Sequence, residues 1–104
     1  MAAFRFSRRA EADLLRIAEF TLRTSGKTQA IRYRGEMEKC CQVLADNPAL
    51  GRLWDDLRPG LHRLEHSKHV VFYRREPLGI LVSRLLHQRL LPARHAIEDQ
   101  DEEP

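Results

Sequence analysis

The sequence predicts an α+β fold: a short N-terminal strand, then an antiparallel helical hairpin packed on a small, mainly antiparallel sheet that ends in a three-strand meander. Three observations predict it. Apolar residues recur at helical spacing over residues 8–24 and again over 28–46. Three apolar runs follow within residues 60–89, divided by short polar turns. Between helices and strands lies a stretch punctuated by Pro48, Gly51, Pro59 and Gly60. A chain of 104 residues is one domain, expected to span 1–97, with 98–104 as an acidic, disordered tail.

The elements are justified in order. Phe4-Arg5-Phe6 alternates, so a first strand runs Ala3 to Phe6. Ser7 suits an N-cap. After it, Ala10, Leu14, Ile17, Ala18 and Thr21 share one helical face. Glu11 and Asp13 near the start and Arg23 near the end complement the helix dipole. Ser25-Gly26-Lys27 is the turn of the hairpin. Ala30, Tyr33, Met37, Cys41 and Leu44 then form the second stripe. Asn47-Pro48 ends it, because proline disfavours helical geometry in the residue before it. Residues 47–60 are a loop, with Trp54 anchoring it on the core.

In the middle strand of the meander His69, Val71, Tyr73 and Arg75 alternate with Val70, Phe72 and Arg74. In the last strand Ile80, Val82, Arg84 and Leu86 share one face, and Leu81, Ser83, Leu85 and His87 the other. Neither strand has a clean polar face, unlike a sheet with one wet side. One face should take the hairpin. The second is covered by the C-terminal segment or left as a docking surface.

Charge is unevenly placed. The formal net charge is +3, but 98–104 holds five acids and no base, so 1–97 carries a net +8. Residues 58–95 hold eight Lys or Arg, two acids and all five histidines. That concentration favours an acidic partner, against the plainer explanation of an arginine-rich proteome. No run of about 18 apolar residues is present, so no membrane span is expected. The start lacks an apolar signal region, so a cytoplasmic protein is expected. Adjacent Cys40 and Cys41 point about 100° apart on a helix and read as unbridged thiols.

No phosphate-binding glycine loop, dinucleotide fingerprint, metal-ligand pair or Ser-His-Asp arrangement is evident. His62, His66 and His69 cluster, but Glu65 points the opposite way, so no metal and no cofactor are expected. One enzymatic set stands out: Arg63, Tyr73, Arg84 and His87 lie on or beside one small sheet. Cleavage of RNA through its 2′-hydroxyl needs proton donors and acceptors, which His and Tyr supply, and cations for the phosphorane, which Arg supplies. Each residue also has a plain structural role: Tyr73 a strand aromatic, the arginines ion-paired edges, His87 a strand-end cap. No catalytic residue is favoured.

The order of these pieces resembles the RelE/ParE superfamily of bacterial toxins, and the ParE branch most. The resemblance rests on Ala12-Asp13-Leu14-Leu15-Arg16-Ile17-Ala18, Gln29-Ala30, Asn47-Pro48-Ala49-Leu50-Gly51-Arg52, Gly60-Leu61-His62-Arg63, His69-Val70-Val71-Phe72-Tyr73-Arg74 and Leu85-Leu86-His87-Gln88-Arg89, across residues 4–89. It implies the toxin of a type II toxin–antitoxin system, which binds and poisons DNA gyrase, arrests growth and is neutralised by a cognate antitoxin in a hetero-oligomer. DNA is then met only indirectly, through the antitoxin. The alternative is a ribosome-dependent mRNA endoribonuclease of RelE type, using Arg63, Tyr73, Arg84 and His87. By analogy, His87, Arg89 and Arg94 are expected to contact the target. Leu14, Ile17, Val71, Tyr73 and Leu85 are expected to meet the antitoxin.

Overall fold

Ser7 starts the first helix and fastens it to the sheet. Its backbone is extended (φ −67°, ψ 166°), its Oγ accepts from the Ala10 amide at 3.0 Å, and the same hydroxyl donates to the Ser83 carbonyl at 2.8 Å. The computed structural model describes residues 2–54 and 58–90. In chain order these form β1 (Ala3–Phe6), α1 (Arg8–Ser25), α2 (Lys27–Asp46), a 3-10 turn at Pro48–Leu50, β2 (Arg52–Leu53), β3 (Leu61–His66), β4 (His69–Glu76), β5 (Gly79–His87) and a second 3-10 turn at Gln88–Leu90. The expected strand, hairpin and meander are all present. Gly26 (φ 93°) is the single residue between the helices, and its amide closes α1 onto the Leu22 carbonyl at 3.1 Å.

The sheet runs β1-β5-β4-β3-β2. β1 lies parallel to β5, and all other pairs are antiparallel. Gly79 opposes Ala3 in that parallel pair, where a Cβ would run into the Ala3 carbonyl. Only glycine lets the two backbones approach this closely. The 47–60 loop holds two elements the sequence reading did not anticipate, the Pro48–Leu50 turn and the two-residue β2. A strand of two residues has no periodicity to read. It exists because Arg52 and Leu53 pair with Arg63 and His62, and the Trp54 amide donates to the Leu61 carbonyl at 2.6 Å.

The main core lies between the hairpin and one face of the sheet. It joins Ala10 and Leu14 of α1, Met37, Cys41, Leu44 and Ala45 of α2, and Val71, Tyr73, Ile80, Val82 and Leu85. The opposite face is also closed. Leu61, Val70 and Phe72 are fully buried there, and Trp54 stacks on Phe72 at 5.6 Å between ring centroids. This explains the missing polar face in β4 and β5: both are central strands buried on two sides. Trp54 anchors its loop as expected, so this face is not an open docking surface.

The expected alternation in β5 fails beyond Val82. Phe72 pairs with Arg84 and Tyr73 with Val82, so Ser83 has no residue opposite it. This bulge reverses the pattern. Ile80 and Val82 face the hairpin, but so does Leu85, while Leu86 joins the opposite cluster. The predicted face of Ile80, Val82, Arg84 and Leu86 is therefore split. Among the described residues no helix is long and apolar enough to cross a membrane.

Two glycines give opposite stability predictions. Gly35 sits inside α2 with nothing within 4 Å of an added Cβ. Gly35→Ala should therefore stabilise the fold by about 0.5–1 kcal/mol. Gly79→Ala should destabilise it by about 1–3 kcal/mol through the clash with β1. Chemical denaturation of the two variants beside the parent checks both signs.

Candidate functional site

Asp13 lies on α1 between Ala10 and Ile17, in line with the apolar stripe, so its carboxylate faces inward, where a lone charge would be costly. β5 supplies the compensation. Arg84 Nε donates to Asp13 Oδ2 at 2.7 Å and its Nη2 to Oδ1 at 2.9 Å. The Leu85 amide donates to Oδ2 at 3.0 Å, and Arg16 Nη2 to Oδ1 at 2.6 Å. Asp13 is only 3% exposed. The four bonds satisfy both oxygens and lock α1 against the far half of β5.

Beside this lock opens a groove of about 790 Å³, between the joined ends of the helices, the β3–β4 turn and the end of β5. Ile17, Phe20 and Leu85 give it apolar wall, and Phe20 is 58% exposed. Arg16, Lys68 and Arg89 give it a cationic rim. Ser67 (φ 57°) makes the tight turn that carries exposed Lys68 to the lip.

One wall holds an imidazole pair. His69 and His87 are cross-strand neighbours with ring centroids 5.3 Å apart, edge to face. Tyr33 from α2 places its hydroxyl 2.6 Å from His69 Nδ1. Burial, together with the charges of His87, His66 and Lys68, lowers the His69 pKa to about 4, so the imidazole is neutral near pH 7. Burial also raises the Tyr33 pKa, so the phenol keeps its proton beside the neutral imidazole. The His87 Nδ1 accepts from the Arg89 amide at 3.1 Å, which makes it the strand-end cap that its position suggested. Among the described residues no three His, Cys, Asp or Glu side chains are grouped to hold a metal ion. Burial pushes the Cys41 thiol up to about 12 and that of Cys40 upward too, and both are free.

A family model described as the ParE toxin of the type II toxin–antitoxin system parDE matches residues 4–92. The chain belongs to this family. Toxin ParE1 of Caulobacter vibrioides is 36% identical over 97 residues, 91% of this chain and 98% of that one. Toxin ParE1 of Mycobacterium tuberculosis is 38% identical over 82 residues, 78% of this chain and 84% of that one. A solved structure of the chromosomal ParDE system from P. aeruginosa superposes with a TM-score of 0.69 at 22% identity, over 84% of this chain and 96% of that one, and so shares the fold. As a ParE toxin the chain is the toxin component of a type II system, with an antitoxin as its partner.

Within this ParE fold the set considered for RNA cleavage does not come together. Arg63 lies on the face away from the hairpin, 4.8 Å over the Trp54 ring and bonded to Glu65. Tyr73 is fully buried. Its hydroxyl donates to the Pro48 carbonyl at 2.7 Å and accepts from the Gly51 amide at 2.9 Å, with its pKa raised by burial. Arg84 is held by Asp13. Of the four, Arg84 and His87 line the groove, and the guanidinium of Arg84 is committed to Asp13.

The residues expected to meet an antitoxin differ in how far they reach the surface. Val71 and Tyr73 lie beneath the hairpin at 0% exposure and offer no surface. Leu14 and Leu85 are buried too, though Leu85 forms part of the groove floor. Ile17 remains half-buried at the groove wall. Of the expected target contacts, His87 and exposed Arg89 line the groove, and Arg94 lies outside the described residues, as does the acidic tail expected at 98–104. Sequence reading missed Asp13, Tyr33 and His69 as parts of one site. An acid in line with an apolar stripe was the available signal for the first.

The lock predicts a large effect. Asp13→Asn leaves the Arg84 guanidinium buried without its counter-charge, and should cost about 3–5 kcal/mol in denaturant unfolding. Adding Arg84→Met should recover part of that loss. His69 predicts a pH dependence. Its folded pKa of about 4 lies below the ordinary 6.5, so the unfolded chain binds the proton more readily. The contribution of His69 to stability is present above pH 6.5 and is lost as pH falls toward 4. Imidazole NMR titration should place its midpoint near 4.

Proposed function

We propose that this ParE toxin acts by binding DNA gyrase and poisoning it, and that its groove receives the folding-upon-binding segment of an acidic antitoxin. The observation that carries the antitoxin part is the groove itself. It combines exposed Phe20 and half-buried Ile17 with a rim of Arg16, Lys68 and Arg89. An amphipathic segment bearing carboxylates would bury its apolar side chains on the wall and pair its acids along the rim. The dispersal of Arg63, Tyr73, Arg84 and His87 supports inhibition by binding over RNA cleavage. His87 and Arg89 are the proposed gyrase contacts among the described residues, and Arg94 the proposed contact beyond them. The toxin would work in the cytoplasm, as a hetero-oligomer with its antitoxin until released, and would meet operator DNA only through that partner.

The test is supercoiling of relaxed plasmid by gyrase with purified toxin, freed from antitoxin and titrated against fixed enzyme. The expected result is loss of supercoiling with linear, protein-linked DNA. Full gyrase activity at large excess of folded toxin overturns the target. His87→Ala and Arg89→Ala should each weaken inhibition about 2–10-fold, as rim contacts do, and the double variant more. Complete loss from either single change would instead indicate a catalytic group.

A further inference from the structure

We propose that the chain's own acidic segment, residues 98–104, docks in the groove of the free toxin and competes there with acidic partners. The competition with an antitoxin rests on the groove assignment made above. The docking itself does not.

The groove is a site of unbalanced charge. Among the described residues that line it, Asp13 is the one acid, against Arg16, Lys68, Arg84 and Arg89. That carboxylate is already shared by Arg84 and Arg16. Among the described residues no carboxylate pairs with Lys68 or Arg89. A ligand of opposite charge gains most at these two side chains.

The chain supplies such a ligand, and leaves the described fold at the right place. Glu98, Asp99, Asp101, Glu102 and Glu103 fall within seven residues that contain no base. The last described element, Gln88–Leu90, forms part of the groove lip. It is fixed there by the Gln88 amide, which donates to the Lys68 carbonyl at 2.9 Å, and by Gln88 Nε2, which donates to the Ser67 carbonyl at 3.0 Å. Eight residues from Leu90 to Glu98 reach at most about 26–29 Å, ample for a groove that begins at Arg89. A tether this short gives an effective concentration of order millimolar, so even weak pairing fills the site appreciably. The family match ends at residue 92, short of the acids, so the segment lies outside what the family model describes. Acidic residues in an adjoining segment thus find Lys68 and Arg89 before any other molecule can.

The test uses the full chain and neither gyrase nor antitoxin, so its failure is separate from failure of the target reading. Backbone amide NMR spectra are compared between the native chain and a variant carrying Glu98→Gln, Asp99→Asn, Asp101→Asn, Glu102→Gln and Glu103→Gln. At low salt the amides of Lys68, His69, His87 and Arg89 should move, while those of β1 and the C-terminal half of α2 stay. Raising salt to about 1 M should carry the native spectrum toward the neutralised one. Groove amides that do not move, or shifts concentrated on another basic surface, overturn the proposal. In the Lys68→Gln/Arg89→Gln background the tail-dependent shifts should collapse; unchanged shifts also overturn it. A fluorescent decaglutamate peptide should bind the neutralised chain about 3-fold or more tightly than the native chain. Equal binding overturns the competition.

Discussion

The Asp13–Arg84 pair is the interaction on which the arrangement depends. α1 meets β5 through a buried carboxylate whose two oxygens accept from two guanidinium groups and one backbone amide. A hydrophobic contact would tolerate sliding of the helix along the sheet. A bidentate pair does not, because its geometry is met at one position only. Ser7 adds a second fastening a turn and a half away, capping α1 while bonding the Ser83 carbonyl. Both fastenings act on the bulged stretch of β5, so the register of the helix is set where the strand is irregular.

That choice shapes the groove. Holding α1 to β5 at Asp13 leaves the C-terminal part of the helix, from Ile17 to Ser25, beside the strand ends, where the β3–β4 turn and the end of β5 close the space from the other side. The groove is thus partly walled by a charge pair whose net effect is local neutrality. Lys68 and Arg89, which pair with no carboxylate among the described residues, lie at the rim. Arginine does different work in different places in this ParE toxin: Arg84 is structural, Arg63 lies over Trp54, and Arg89 is exposed at the groove.

Tyr73 shows why residue type alone misleads. In sequence it is an aromatic hydroxyl among arginines and histidines, a fitting proton donor. In the fold its hydroxyl bridges the Pro48 carbonyl and the Gly51 amide, and so ties the loop after α2 to the centre of the sheet. A Cβ at Gly51 would run into that hydroxyl, so the glycine and the tyrosine are a matched pair. Neither residue carries a local signature of this role, because they are 22 positions apart.

By itself the sequence determined the class and the main helices and strands, though not the two short elements of the 47–60 loop. Ser7, Gly26 and Asn47-Pro48 bound the helices, and their apolar stripes at 10, 14, 17 and at 33, 37, 41, 44 form the core face of the hairpin. Such signals are local, and helix caps and periodicity act over a few residues. The ordering of strand, hairpin and meander was enough to indicate the toxin family. Tertiary structure alone decided which groups serve the site. The bulge at Ser83 swaps the faces of β5 beyond it, burying Leu85 under the hairpin and sending Leu86 to the other side. Asp13 meets Arg84 across 71 positions, and Tyr33 meets His69 across 36. Burial and pairing of this kind follow from contacts between distant elements, and these decide whether an arginine is a buried brace or an exposed charge.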